Sequence, residues 1–228
     1  MNKIFLLILC LVPLWSLDLN TTCEQQNILA KYAGHYADQV LWHNIPIQRK
    51  WSSTQEQSYN GISRVNIDKH GVVTAATGWH EGSIQPKCSS IIKNKLWIIN
   101  EFTNHWEGPF IRVSKDFDEN TIYFNRLFQN KCYKDELNQK WCFRNGEIQI
   151  DKKKIKVELM LDTDESPLYG NALRLEEDRS RLWMFVPHKN GWKIFQDTFV
   201  TDEKFKEIDP LTDKPWHFLK LDSRSSRE

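Results

Sequence analysis

Ile155, Val157, Leu159 and Leu161 alternate with Lys156, Glu158, Met160 and Asp162. That period of two marks a β-strand with one buried face and one wetter face. Similar short runs recur at Ser63–Ile67, Val72–Trp79, Leu96–Phe102, Phe110–Val113, Ile122–Phe128, Arg181–Val186 and Trp192–Phe199. Turn-forming pieces separate them: Asp68-Lys69-His70-Gly71, Lys93-Asn94-Lys95, Asp116–Asn120, Asn145-Gly146 and Asn190-Gly191. Asn-Gly between apolar alternations is the strongest short hairpin signal. Many short strands joined by hairpins predict an all-β antiparallel meander, closing into a barrel or folding into a sandwich. Two helical pieces are expected as well, at Cys23–Ala33 with Asn20, Thr21 or Thr22 as caps, and as a turn at Ala172–Arg179. The 228 residues suit one domain over 17–222, with 223–228 as a tail.

The first residues read differently. Lys3 supplies a positive start, and Ile4 to Trp15 form an apolar run of 12 residues. A bilayer span needs about 20, so residues 1–16 are expected to be a secretory signal peptide. No later run is long and apolar enough for a spanning helix. The expectation is an exported protein, secreted or periplasmic, with no transmembrane segment in the mature chain. Asn20-Thr21-Thr22 is the single N-glycosylation sequon, and it matters only if the source is eukaryotic.

Cys10 leaves with the signal, and Cys23, Cys88, Cys132 and Cys142 remain. An even set in an exported chain favours disulfides over metal ligation. Four cysteines allow three pairings. The expected one is Cys132–Cys142, facing each other across a polar hairpin, and Cys23–Cys88, stapling the N-terminal segment to the barrel wall. There is no CxxC.

Charge excludes whole classes of partner. There are 31 basic and 30 acidic side chains, and losing Lys3 brings them to 30 and 30. That balance argues against a nucleic-acid binder or a protein recruited by charge to anionic membranes. Lys152-Lys153-Lys154 is the one compact basic run, and it reads as solvated protection of a hairpin.

Tyr32-Ala33-Gly34-His35-Tyr36 follows the helix-like segment and opens the first strand. It resembles the G-x-W entry of lipocalin-like (calycin) barrels, with Tyr36 where that family places Trp. The family's T-D-Y signature has a partial echo at Thr201-Asp202-Glu203, close to the C-terminus. The resemblance implies a barrel with one closed end, plugged by the aromatic, and a mouth that holds a small molecule.

Two segments carry the residue types that chemistry needs: Thr77-Gly78-Trp79-His80-Glu81-Gly82 and Thr103-Asn104-His105-Trp106-Glu107-Gly108. On a strand, His105 and Glu107 share a face about 7 Å apart, whereas His80 and Glu81 point oppositely. Glu81 and Glu107 with His105 are therefore candidates for acid–base work in a hydrolase. The same residues fit ligand contact or ordinary rim packing. The expected ligand-binding residues are Tyr36, Trp42, Trp79, His105, Trp106 and Glu107, with the polar stretch Gln48–Asn60 as a lid.

Other acidic pieces fall short of a metal site. Asp116, Asp118 and Asn120 match the start of an EF-hand loop, but Thr121 and Leu127 stand where Gly and Glu are required. Asp162, Asp164 and Glu165 read as a solvated loop, and His188 as an exposed turn residue. No HExxH, GxSxG or Gly-rich phosphate loop is present. No cofactor or metal is expected. With 10 Trp, 6 Tyr and 12 Phe, the leading expectation is an exported barrel holding a small apolar ligand among aromatics. The alternatives are a secreted module that binds a protein or glycan through surface aromatics, and the hydrolase.

Overall fold

The computed structural model describes residues 22–49, 62–76, 83–115, 118–159, 171–178, 181–198 and 214–222. The expected signal peptide, the lid stretch beyond Arg49, Trp79, Glu81, Asp116 and the acidic loop at Asp162 all lie outside these residues.

The chain folds as two successive antiparallel meanders. The first opens with a short helix α1 (Gln26–Leu29), continued by a 3-10 turn (Ala30–Tyr32), and strand β1 (Gly34–Asp38). Helix α2 (Gln39–Gln48) follows, then β2 (Arg64–Ile67), β3 (Val73–Ala76), β4 (Ser83–Ile84), β5 (Cys88–Ile92), β6 (Lys95–Ile99) and β7 (Trp106–Ser114). These make one sheet in the order β4-β3-β2-β1-β7-β6-β5. Because β1 pairs with both β2 and β7, this is the order of an up-and-down barrel cut between β4 and β5.

The second meander closes completely. Helix α3 (Glu119–Phe128) leads into β8 (Cys132–Lys134), β9 (Lys140–Arg144), β10 (Glu147–Ile150), β11 (Lys153–Leu159), β12 (Asn171–Leu175), β13 (Arg181–His188), β14 (Gly191–Thr198) and β15 (His217–Leu221). Each strand pairs with the next, and β15 returns to β8 through Lys220↔Lys134 and Leu221↔Tyr133. The all-β class, the closed eight-stranded antiparallel barrel and the short N-terminal helix are as the strand pattern predicts. The barrel is drawn from the second half of the chain alone. Strands at 64–67, 73–76, 95–99 and 106–114, expected in the same wall, belong to the first sheet.

Local chemistry explains the hairpins. Asn145 and Gly146 have φ of 52° and 73°, and Lys93 and Asn94 have φ of 51° and 62°. Positive φ at both central residues is the I′ turn that matches strand twist. Gly71 sits at φ +81°, and a Cβ there would lie 1.9 Å from the Gln26 carbonyl oxygen. Only glycine lets this loop seat against α1.

Two elements overturn the periodicity reading. Ile122–Phe128, expected as a strand, lies in α3. Asp118 caps it by accepting the Thr121 N–H at 3.3 Å, so the EF-hand-like acidic piece contributes a helix cap. Its buried residues are Tyr123, Phe124, Leu127 and Phe128, the spacing of a helical face rather than a strand. Ala172–Arg179, expected as a helical turn, begins inside β12, whose adjacent Ala172 and Leu173 are both fully buried. Helix α2 had no expected counterpart. Asp38 starts it by accepting the Leu41 N–H at 2.8 Å.

The two disulfides are Cys23–Cys88 and Cys132–Cys142, the pairing expected among the three possible. The second crosses a directly opposed pair of β8 and β9. The first ties Cys23 to β5, a strand of the first sheet rather than of the barrel wall where the staple was expected, and the Glu24 N–H donates to the Ser89 carbonyl at 2.8 Å beside it.

Two apolar clusters result. One holds the first sheet together through Leu29, Tyr36, Ile62, Val65, Ile67, Leu96, Ile98 and Phe110. The other fills the barrel and takes in Ala37, Leu41 and Ile45 from the first half. Tyr36 and Ala37, adjacent on β1, therefore face opposite clusters.

Candidate functional site

The ends of the barrel differ in chemistry. At one end the hairpin β9–β10 and the turn β13–β14 meet the helices. Helix α3 lies across it: the Asn120 amide donates to the Val157 carbonyl at 2.8 Å and accepts from the Leu159 N–H, and Asn125 accepts from the Asn145 N–H at 2.7 Å. Phe124, Leu127 and Phe128 enter the barrel cluster. The Phe128 ring stacks on Phe143 at 4.3 Å and meets Trp192 at 5.0 Å and Phe185 at 5.4 Å. Arg49, ending α2, donates to the Gly191 and Lys189 carbonyls and lies 5.3 Å over the Trp192 ring. This end is sealed.

The opposite end collects β8–β9, β10–β11, β12–β13 and the start of β15. Strand alternation aims Trp141 inward from β9, Trp183 from β13 and His217 from β15. Trp141 and Trp183 lie 5.9 Å apart between ring centroids, Trp183 and Trp216 5.4 Å, and Trp216 and His217 4.3 Å. Trp141 and Trp183 are buried, whereas Trp216 is 43% exposed. Ile155 and Leu175 keep a little solvent contact, unlike Phe143 and Trp192 at the sealed end.

Polar groups join this aromatic cluster. The Trp141 indole N–H donates to Asp135 Oδ2 at 3.1 Å. Asp135 also accepts the Leu137 and Gln139 N–H groups, so the β8–β9 turn is built around its carboxylate. His217 Nδ1 lies 3.3 Å from Glu136 Oε1 and 3.7 Å from Asp135 Oδ2, yet makes no hydrogen bond. Trp183 Nε1 is likewise buried with no hydrogen-bond partner. Burial raises the Glu136 carboxyl, but the Phe218 and Glu136 N–H groups and His217 outweigh it and hold the acid below its ordinary value. Along the outer face, a groove of about 670 Å³ runs from Asp135 and Glu136 past Phe218 and Leu221 to His188 and Lys189.

A second polar cluster joins the two meanders. His35, fully buried on β1, meets Asn66 Oδ1 at 2.5 Å through Nδ1 and the Tyr123 hydroxyl at 3.1 Å through Nε2. Glu119 lies 3.5 Å from Nδ1 and pairs with Arg64. Burial holds His35 below its ordinary value, against the opposing pull of Glu119 and Asn66. Burial pushes the Tyr123 phenol far up. Both groups are therefore neutral at pH 7 and serve as a hydrogen-bonded bolt between the sheet and α3.

The residues singled out from sequence are spread out. Tyr36 is buried in the first sheet's cluster, its hydroxyl donating to the Tyr32 carbonyl at 2.7 Å. Trp42, on α2, packs edge-on to Tyr123 and under Arg126, whose guanidinium sits 4.8 Å from the ring centroid. His105 lies in the bend before β7 and is exposed, while Glu107 is buried on that strand and accepts from Thr103 Oγ1 at 3.1 Å. Trp106 between them is half-buried. Thus Tyr36 and Trp42 face different clusters, and His105, Trp106 and Glu107 sit on the first sheet rather than on the barrel. The wall itself carried a legible signal: Trp141-Cys142-Phe143 and Trp183-Met184-Phe185 are two Trp-x-Phe strands, and i, i+2 aromatics share one face.

No protein-family model matches the chain, and no curated protein or solved structure does either. Among the described residues, no helix is long and apolar enough to cross a membrane and no group of three or more metal-ligating side chains is assembled.

Proposed function

We propose that this chain is an exported barrel protein of lipocalin-like character that holds a small, largely apolar ligand at the Trp-rich end of its barrel. The observation that carries this reading is the contrast between the ends. One is sealed by α2 and α3, and the other gathers Trp141, Trp183, Trp216 and His217, the histidine lying 3.7 Å from Asp135 and 3.3 Å from Glu136. Ligand sites are mostly apolar and aromatic with a few convergent polar groups, and that description fits this end of the barrel. Export is supported by the two disulfides, which persist in oxidising compartments.

Intrinsic Trp fluorescence, titrated with pooled lipids, pigments, haem and oligosaccharides, tests the reading. Quenching or a spectral shift that saturates, and that Trp216→Ala weakens, is the expected result. An unmoved spectrum with every pool ends it.

A second reading has its own support. Trp216, Phe218, Leu137 and Leu221 are exposed apolar side chains, and Phe218 and Leu221 border the outer groove. Such a patch suits a secreted module that binds a protein or glycan. Saturable binding to an immobilised glycan or protein panel, lost on Phe218→Ala but kept on Trp183→Phe, would favour it.

A further inference from the structure

The ligand's polar end is open to a sharper statement, which rests on the small-ligand reading above. Trp183 is 5% exposed and its Nε1–H has no partner. Indole nitrogen donates and never accepts, and an unsatisfied buried donor is costly to keep. A ligand that brings an acceptor oxygen to it removes that cost. Trp216 packs against the Trp183 ring, 5.4 Å away between centroids, and is 43% exposed where Trp183 is buried. Trp216 also lies against His217, 4.3 Å between centroids, so it is the side chain a ligand would displace to reach these two rings.

The charges nearby select among acceptors. Asp135 and Glu136 flank His217 Nδ1 at 3.7 and 3.3 Å, and the Glu136 carboxyl is held ionised by its hydrogen bonds. Two carboxylates beside His217 repel an anionic head group that approaches it. We infer that the site takes a flat or ring-bearing apolar ligand ending in a neutral acceptor oxygen, a ketone, aldehyde or ether, and rejects the matching carboxylate. In this arrangement Trp183 is the specificity-determining residue, donating to the oxygen while Trp141 and Trp216 flank the ring.

Three probes of one skeleton test this by calorimetric titration: 2-acetylnaphthalene, 2-ethylnaphthalene and 2-naphthoate. In the wild-type protein the ketone is expected to bind about tenfold more tightly than the hydrocarbon, and the carboxylate most weakly. Trp183→Phe should bring ketone and hydrocarbon to equal affinity, and Glu136→Gln should recover part of the naphthoate binding. A downfield shift of the Trp183 indole proton with the ketone, absent with the hydrocarbon, supplies the same answer in unmutated protein. Equal affinities for ketone and hydrocarbon in the wild type, or tightest binding of naphthoate, overturn the inference while leaving a ligand-binding barrel intact. Failure of all three probes to bind overturns the small-ligand reading itself.

Discussion

Phe128 is the side chain on which closure of the barrel depends most directly. It is fully buried, and its ring contacts Phe143 at 4.3 Å, Phe124 at 4.8 Å, Trp192 at 5.0 Å and Phe185 at 5.4 Å. Three of these partners belong to the wall and one to its own helix. Truncating a buried Phe to Ala costs about 3–5 kcal/mol through lost transfer energy and the cavity left behind. Because aromatic pairs add about 0.5–1.5 kcal/mol beyond area, Phe128→Ala belongs near the upper end, at roughly 4 kcal/mol. For a chain of this size that lowers the melting temperature by about 8–16 °C, at 2–4 °C per kcal/mol.

The assay is urea unfolding with disulfides intact, followed by Trp fluorescence and far-UV circular dichroism. Phe102→Ala is the control, since Phe102 is 67% exposed and its loss should stay within about 0.5 kcal/mol. With equal slopes for the two proteins, the difference in midpoints reads the plug alone. A cost below about 1.5 kcal/mol for Phe128→Ala, or one matching the control, would refute the claim that α3 seals this end by filling it.

Three further perturbations probe other parts of the framework. His35 is held below its ordinary value, so the unfolded chain binds its proton first; stability should fall as pH drops through about 6.5 and continue falling to the folded value. His35→Gln should flatten that slope in urea midpoints measured from pH 8 to 5, and an unchanged slope would remove His35 as its source. The chain-entropy model assigns about 4 kcal/mol to Cys23–Cys88, which closes 65 residues, and about 3 kcal/mol to Cys132–Cys142, which closes 10; paired Cys→Ala variants compared by urea midpoint should rank in that order, and the reverse ranking would show that native packing outweighs loop length. Gly71→Ala should cost more than about 2 kcal/mol, from positive φ and the clash with the Gln26 carbonyl; a loss under about 0.5 kcal/mol would mean that α1 does not rest on that loop.

How far the sequence reveals this depends on which force sets each element. Strands with one wet face, such as Ile155, Val157 and Leu159 on β11, announce themselves because solvent imposes alternation. Asn145-Gly146 does so because only certain residues accept its turn. Elements buried on several sides lose that imprint. Ile122–Phe128 resembles a strand as a string of apolar residues, and its helical face shows only when Asp118 is seen as a cap. Candidate site residues were harder for the same reason. Pairing His105 with Glu107 by spacing assumes a strand that begins before His105, but β7 begins at Trp106. Trp141, Trp183 and His217 lie 76 residues apart from first to last, so only barrel closure brings them together.

That closure also explains why the two halves differ. Both meanders start with a helix and pair their first strand with their last, so both follow the circular order of an up-and-down barrel. The second completes the ring and fills its interior with Phe124 and Phe128 from its leading helix. The first lacks a ladder between β4 and β5 among the described residues, and its exposed edge at β5 has a different partner. Cys23 is bonded to Cys88 there, the Glu24 N–H reaches the Ser89 carbonyl, and the Glu24 carboxylate accepts from the Ile91 N–H at 3.3 Å. An unpaired strand edge is a template for aggregation. The disulfide fixes a short piece of the chain's own N-terminal segment against that edge, so the staple serves the sheet as the last strand pair serves the barrel.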